Sequence, residues 1–281
     1  MSHKTKQRIS RGVLYVVLIL TSIVMAFPLI WMVLTSLKTY AEANAPKIVW
    51  FPAQPQLTTY LEILSKPEFI QSYFNSTFVA ILALFGTLIS IAAVAYAFSR
   101  LEWPGRDIIF VLMLGTLMIP AQALIVPQYV FFNRLGWIGS FNPIVIPGYF
   151  AGGAAMIFLL RQFMLQLPKE LDEAAFIDGA GHVTIWWRLI LPLSRPALAT
   201  IATFLFVGIW NSLLQPVIYL QTTSLYTLPV YVASLVNPQQ SAQPWPTIMA
   251  ASVLTTLPLM VIFLFAQRFI LESSVMTGVK G

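Results

Sequence analysis

The chain has 281 residues, of which 9% are charged and 58% are hydrophobic, and its mean hydropathy is +0.79. Soluble domains carry about 25% charged residues, so this composition argues against a soluble domain and indicates an integral membrane protein. The formal net charge of +6 is spread over separate segments, which argues against a nucleic-acid partner.

Uncharged runs long enough to cross a bilayer recur along the chain. A spanning helix needs about 20 apolar residues; the first four runs hold one crossing each, and the longest, which comes last, holds two. The runs are Gly12–Leu37, Phe69–Ser99, Ile108–Asn133, Leu135–Leu160 and Pro196–Gln267. Closed β-barrels need short alternating segments that this chain lacks. The sequence therefore predicts an all-α integral membrane protein with six transmembrane helices within residues 12–268.

The predicted spans follow the apolar runs in chain order. Five lie at about Val13–Leu37, Ser72–Ser99, Ile144–Leu160, Ala197–Leu214 and Thr247–Gln267, and the third starts near Ile108. Pro120 and Pro127 remove backbone donors from the third span, which is therefore expected to kink or break there. A short helix is expected at Thr58–Leu64, between the first two spans.

Lys and Arg residues predict the orientation, because cytoplasmic loops carry an excess of both. With the N-terminus inside, 12 of the 16 Lys and Arg residues fall on the inner side, and Lys38, Lys47, Lys66 and Arg134 fall outside. The first apolar run is too long for the core of a cleaved signal peptide. We therefore expect a multi-pass protein of the cell (inner or plasma) membrane, with cytoplasmic tails at residues 1–11 and 269–281.

The longest charged segment, residues 162–195, lies between spans 4 and 5 on the predicted inner side. Pro168 suits the first turn of a helix, and acidic residues then cluster near the positive end of its dipole. Gly179 favours a left-handed stop. A second helix is predicted by one apolar stripe, formed by Val183, Trp186, Trp187, Ile190 and Leu191. These features predict a cytoplasmic helix–turn–helix that docks a soluble partner.

The same segment resembles the EAA loop of permease subunits of ATP-binding-cassette importers. Glu173-Ala174-Ala175, Gly179 and Leu191-Pro192 stand at the family spacing, and Leu189 stands where isoleucine is more usual. The resemblance implies a coupling helix that sits in a cleft of a cytoplasmic ATPase. In that reading the alanines permit close approach, Glu173 pairs with a basic group of the ATPase, and Gly179 permits the turn.

Further motifs are similar to the second permease of carbohydrate-type importers: Trp50-Phe-Pro52 with Thr58-Thr-Tyr60, Trp210-Asn211, Tyr226-Thr-Leu-Pro229 and Gly278-Val-Lys-Gly281. The resemblance implies a second related permease subunit, two ATPase subunits, an extracytoplasmic solute-binding protein and surrounding membrane lipid as partners. The chain has no GxxxxGK[ST] phosphate loop, so it is expected to be non-catalytic and to bind no cofactor itself. ATP and Mg are expected in the partner ATPase. With no cysteine and two distant histidines, no metal site is expected.

The predicted spans contain no buried acid or base, which argues against a secondary carrier driven by protons or sodium. Neutral polar and aromatic residues suit a neutral sugar or polyol-like solute; the pathway candidates are Asn75, Gln122, Tyr149, Trp210, Asn211 and Gln215. Within the class of ATP-driven importers, the alternative is an importer of glycerol phosphate or of a glycosylated compatible solute. A stand-alone secondary carrier and a membrane scaffold are the alternatives outside it.

The uncharged outer segment 215–246 is the candidate surface for the solute-binding protein. It offers aromatic contact area without charge through Tyr219, Tyr226, Tyr231 and Trp245. An aromatic belt at the membrane interface explains the same residues equally well.

Overall fold

In the computed structural model, which describes residues 3–237, 239 and 241–278, the chain is helical and that part of it contains no strand. This confirms the all-α class. The α-helices in chain order are α1 (His3–Ser36), α2 (Tyr40–Ala43), α3 (Thr58–Ser65), α4 (Pro67–Arg100), α5 (Arg106–Gly115), α6 (Ile125–Arg134), α7 (Asn142–Val145), α8 (Ala154–Met164), α9 (Glu170–Ile177), α10 (His182–Ile185), α11 (Leu191–Leu193), α12 (Arg195–Trp210), α13 (Leu214–Tyr219), α14 (Leu228–Ser234) and α15 (Trp245–Gly278).

Four of the described helical segments are long and apolar enough to cross a membrane: Gly12–Ser36, Pro67–Arg100, Asn142–Met164 and Trp245–Gln267. Two further pairs are bent by 92° and 79°, and the number reaches six if each pair is one span. The pairs are Arg106–Met118 with Ala121–Arg134, and His182–Leu193 with Arg195–Trp210. The side chains of the predicted tails, 1–11 and 269–281, lie outside the described part of the chain. Val279, Lys280 and Gly281 lie outside it entirely.

Proline explains the break in the predicted third span. The 92° bend falls between Met118 and Ala121, around Pro120, which confirms the expected break there. Pro127 causes no second break, because it is the third residue of α6, where a missing N–H leaves no helical bond unmade.

The predicted fifth span ends earlier than expected. Helix α12 stops at Trp210, and Asn211 caps it by donating its N–H to the Val207 and Ile209 carbonyls. Ser212 and Leu213 are not helical, and a separate helix, α13, starts at Leu214. The sequence prediction extended the span to Leu214 on hydrophobicity alone. The helix ends earlier because the polar pair Asn211-Ser212 offers the backbone alternative hydrogen bonds.

The chain forms two compact units, one of residues 1–67 and 232–257 and the other of residues 68–231 and 258–281. In the first unit, α2 begins with a capping box formed by Thr39 and Glu42. Lys38 is buried, with its ammonium 3.9 Å from the centre of the Trp31 ring. Helix α3 confirms the short helix expected at residues 58–64.

The second unit has a core that joins α4, α5, α8, α12 and the charged segment 162–195. Its fully buried members include Ile91, Ile157, Leu160, Met164, Ile185, Ile190 and Ile201. Small residues of α4, such as Ala92 and Ala95, are buried in the same cluster and let the neighbouring helices approach. This core packs the charged segment against the last turns of α4.

Candidate functional site: the charged segment and three helix breaks

Helix α9 ends in a closed left-handed turn. The N–H of Ala180 donates to the Ala175 carbonyl at 2.9 Å, and the N–H of Gly179 donates to the Phe176 carbonyl at 3.0 Å. These two bonds form a Schellman motif, which requires a left-handed residue, and Gly179 has φ +82°. Ala175 and Ala180 both pack on the core of the second unit, which adds the apolar contact usual for the motif.

The coupling residues predicted on α9 divide between its two faces. Ala175 is partly buried against the core, whereas Glu173 and Ala174 are exposed. Asp172, the neighbour of Glu173, points inward and is buried. The outward face of α9 therefore carries an exposed carboxylate beside an exposed alanine.

The helical segment after the turn has a different register from the predicted one. Residues Trp186–Ile190 form a π-helix, which widens each turn by one residue, so Ile185 and Ile190 both reach the core. Val183 and Trp187 face outward, whereas Trp186, Ile190 and Leu191 contact the core, so the predicted single apolar stripe is divided between two faces. Leu189, Leu191 and Pro192 are partly buried, the two leucines against the core.

The outer surface of the segment is apolar where the two helical pieces meet. Ile177 is 86% exposed, Val183 is 76% exposed and Trp187 is 60% exposed. Exposed acids and bases stand among them, including Glu170, Glu173, Asp178 and Arg188. Charges interleaved with apolar groups suit a protein interface better than the hydrocarbon of a bilayer.

Two arginines join helices next to the segment, and one of them also binds the segment itself. Arg100, the last residue of α4, forms an ion pair with Asp172 at 3.1 Å and donates from Nη2 to the carbonyls of Met164 and Leu167. Arg161 donates from Nε to the Phe98 carbonyl at 3.1 Å and covers the Phe110 ring at 4.1 Å. Sequence reasoning missed both arrangements, because the local pattern marks Asp172 only as one of three acids in a first turn.

Four pathway candidates lie at interruptions of the long helices. Gln122 is exposed in the short 3-10 turn after the bend at Pro120, and Tyr149 ends the 3-10 turn Ile146–Tyr149 before α8. Asn211 and Gln215 are exposed on either side of the gap between α12 and α13. The Tyr149 ring is 38% exposed, and its hydroxyl donates to the Leu82 carbonyl at 2.9 Å.

The other two pathway candidates are enclosed in this conformation. Asn75 is buried, and its amide nitrogen donates to the carbonyls of Ser224 and Tyr226, both at 2.9 Å. Trp210 is buried, with its ring 5.9 Å from that of Tyr73 and 5.3 Å from that of Phe206. Both side chains are occupied within the second unit, so neither offers a surface to a solute in this conformation.

Two of the four predicted binding-protein contacts are buried in this chain. Tyr219 and Tyr231 are buried, the first edge-on to Phe132 and the second edge-on to Phe69. Aromatic residues in an uncharged loop were expected to be exposed, but these two fill the core of their unit. Tyr226 and Trp245 keep part of their surface open.

Comparison with known proteins identifies relatives over nearly the whole chain. Residues 86–273 match the family model described as "Binding-protein-dependent transport system inner membrane component". The trehalose/maltose transport system permease protein of Thermococcus litoralis is 33% identical over 279 residues, covering 97% of this chain and 98% of that protein. The arabinooligosaccharides transport system permease protein of Halalkalibacterium halodurans is 31% identical and covers 91% of both chains.

A solved structure has the same fold. A bacterial ABC transporter that imports the acidic polysaccharide alginate contains a chain with a TM-score of 0.83 and 25% identity, covering 95% of this chain and 98% of that one. The match to the family model extends over most of the chain and includes the charged segment and all three helix breaks. The chain belongs to the family of binding-protein-dependent transport system inner membrane components, the permeases of ABC importers.

Proposed function

We propose that the chain is one of two related permease subunits of a binding-protein-dependent, ATP-driven importer, and that an ATPase subunit docks on the segment 162–195. The observation that carries the proposal is the outward face of this segment, where Ile177, Val183 and Trp187 are exposed among charged residues. The coupling set is Glu173, Ala174, Ala175, Gly179, Leu189, Leu191 and Pro192. ATP and Mg are bound by the ATPase, and this subunit performs no catalysis.

The mechanism is alternating access. Closure of the ATPase pair on ATP pushes the docked segments, shuts the inner mouth of the pathway and opens the outer one. A solute-binding protein then delivers its solute from outside, through contacts that include the partly open Tyr226 and Trp245. Hydrolysis reverses the motion, and the solute leaves on the cytoplasmic side.

The pathway runs beside the helix breaks, and Gln122, Tyr149, Asn211 and Gln215 contact the solute. Irregular backbone at membrane depth is tolerated where it is buried in protein or lines a water-filled cavity. Residues 108–133, 135–160 and 196–267, which contain the three breaks, carry no charged side chain. A neutral sugar or polyol-like solute fits these amide and phenol groups, and the permease names of the two relatives above support a saccharide.

Docking is tested by purifying the tagged chain from native membranes in a mild detergent. A second six-span protein and an ATPase with a phosphate loop are expected to co-purify with the unmodified chain. The variant Ile177→Asp/Val183→Asp is expected to stay in the membrane but to lose the ATPase. The matched control is Ile48→Asp, which places the same carboxylate at an exposed apolar residue of the first unit. Equal recovery of the ATPase with both variants would contradict the docking surface.

The solute is tested with the co-purified binding protein. Its melting temperature is measured with maltose, trehalose, glycerol 3-phosphate and an alginate oligosaccharide. A shift with maltose or trehalose alone supports the neutral solute. A shift confined to glycerol 3-phosphate or to the alginate oligosaccharide would replace it with an anionic one.

A further inference from the structure

A buried ion pair joins the docking helix α9 to the inner end of α4. The side chains of Arg100 and Asp172 are 4% and 13% exposed, and Nη1 lies 3.1 Å from Oδ2. The same guanidinium donates to the carbonyls of Met164, at the end of α8, and Leu167, in the linker to α9. Arg100 therefore holds α4, α8 and α9 at one point.

The pair is not arranged for stability alone. Within the described residues, Nε of Arg100 and Oδ1 of Asp172 are buried without a hydrogen-bond partner. Burying two charges costs desolvation that incomplete hydrogen bonding does not offset, and apolar residues of similar size usually stabilise a core equally well. What an ion pair adds is a short, directional link between two elements.

The middle of α4 contacts one of the helix breaks. Leu82 accepts a hydrogen bond from the Tyr149 hydroxyl, and the Ser90 hydroxyl accepts one from the N–H of Ala151 at 2.8 Å. A Cβ added to Gly148 would lie 2.1 Å from the Thr87 hydroxyl oxygen, so the backbone of the break touches α4 directly. One helix thus contacts α9 at its inner end and the break beside Tyr149 near its middle.

We infer that Arg100 and Asp172 are positioning residues that make α9 and α4 move as one body, so that the docked ATPase drives the break at Tyr149 through α4. The inference rests on the proposed function, because it requires an ATPase on α9. Arg161 of α8 binds the Phe98 carbonyl, two residues before Arg100, and so joins α8 to the same end of α4. In contrast, α12 starts after a 79° bend, which makes it a poor direct conductor of the same motion.

The test uses the intact importer complex and a reporter cysteine at Phe150, which is 79% exposed in the break beside Tyr149; the chain has no cysteine of its own. Two quantities are measured: the rate of ATP hydrolysis, and the change in maleimide labelling of this cysteine when ATP and vanadate are added. A parent complex without an ATPase, or without any nucleotide-dependent labelling change, refutes the proposed function itself and the inference with it. A responsive parent complex isolates the inference.

Asp172→Asn and Arg100→Gln are then compared with the double variant. Each single variant is expected to hydrolyse ATP. Its nucleotide-dependent labelling change is expected to be about tenfold smaller than that of the parent complex, a magnitude usual for coupling residues. The double variant is expected to lose no more than either single one, because the two residues act as one link. The matched control Asp107→Asn breaks an exposed ion pair to Arg106 that joins no two helices, and it is expected to stay within about threefold. An intact labelling change in either single variant, or additive losses, overturns the inference.

A second measurement keeps the ion pair intact and so does not depend on the variants folding. Spin labels are placed at Glu102 and Asp178, which are exposed just after the C-terminal ends of α4 and α9. Their separation is expected to be the same without nucleotide and with ATP and vanadate. A change of more than about 5 Å, the size of a one-turn helix shift, would separate α9 from α4 and overturn the inference.

Discussion

At the residue scale, position 86 requires glycine because the ring of Tyr149 packs where a side chain would begin. A Cβ built on Gly86 would lie 1.8 Å from Cε1 of Tyr149. Gly86→Ala therefore displaces the ring and breaks its bond to the Leu82 carbonyl, and we expect a loss of about 1–3 kcal/mol, as is usual for overpacking. Thermal unfolding of the purified complex measures it.

The control for this substitution is Gly115→Ala in α5, where a Cβ meets no atom within 4 Å. That variant is expected to be neutral or slightly stabilising, because alanine is the better helix former. Adding Tyr149→Ala to Gly86→Ala should restore most of the lost stability. A Gly86→Ala protein as stable as the Gly115→Ala protein would contradict the close contact.

The carboxylate of Glu42 makes the stability of the segment between α1 and α4 depend on pH. The N–H groups of Thr39 and Ala53 donate to its carboxylate at 2.8 and 2.9 Å, and these bonds, that of Thr39 first, lower the pKa of Glu42. A carboxylate with a lowered pKa in the folded state contributes stability above its ordinary pKa, about 4.3, and loses it as pH falls through the folded value.

Hydrogen exchange of the Thr39 and Ala53 amides measures this effect. After correction for intrinsic rates, protection of both amides is expected to be constant near pH 6 and to fall only as pH drops below about 4.3, the ordinary pKa of a glutamate. Glu42→Gln should remove most of that pH dependence, whereas Glu62→Gln, at an exposed carboxylate of α3, should retain it. An unchanged pH profile in Glu42→Gln would show that another group titrates.

At the element scale, the turn after α9 requires glycine for its backbone conformation and not because a side chain would lack space. Gly179 has φ +82°, Gly181 has φ −82°, and a Cβ on either glycine meets no atom within 4 Å. Gly179→Val is therefore expected to strain the turn by about 1–2 kcal/mol and to reduce the amount of co-purified ATPase. Gly181→Val, whose conformation is extended, is the matched control and should dock normally.

Asparagine provides a further check at the same position. It adopts the left-handed conformation more readily than valine, so Gly179→Asn should recover part of the docking that Gly179→Val loses. Equal losses from the two substitutions would mean that the ATPase contacts this position directly and that the turn geometry is secondary.

Some elements could be predicted from local residue chemistry, whereas others depend on packing in the core. The start of α9 near Pro168, its stop at Gly179 and the break at Pro120 each follow from residues that restrict their own backbone. The π-helix at Trp186–Ile190 does not, because it arises from the need to bury Ile185 and Ile190 in the same core. The 3.6-residue pattern placed Val183 and Trp187 on one stripe with Ile190, whereas the structure exposes the first two and buries the third.

Long-range contacts account for the remaining differences. Asn75 and Trp210 looked like solute ligands because they are polar or aromatic within apolar runs, yet their partners, Tyr226 and Tyr73, lie in other elements. The ion pair of Arg100 and Asp172 likewise joins two helices that no local pattern relates. Composition predicted which segments hold candidate residues, and tertiary packing decided which of their side chains are exposed.

At the scale of the whole molecule, the proposed function depends on the orientation in the membrane. The segment 162–195 can meet a cytoplasmic ATPase only if it lies inside, and the excess of Lys and Arg predicts that it does. Because the chain has no cysteine, single cysteines at exposed residues report on each side. Glu102→Cys and Asp178→Cys test the predicted inner side, and Ile48→Cys and Ser241→Cys test the outer side.

A membrane-impermeant maleimide applied to intact cells is expected to label residues 48 and 241 only, and labelling of residues 102 and 178 should require opened membranes. This pattern follows from six crossings, in which each bent helix pair counts as one span and α12 follows the inner segment. Labelling of residue 178 in intact cells would put the docking face outside, where no ATP is available, and would remove the basis for coupling. Labelling of residue 48 without residue 241 would instead leave the last two crossings in doubt while preserving the docking side, because the two residues report on different loops.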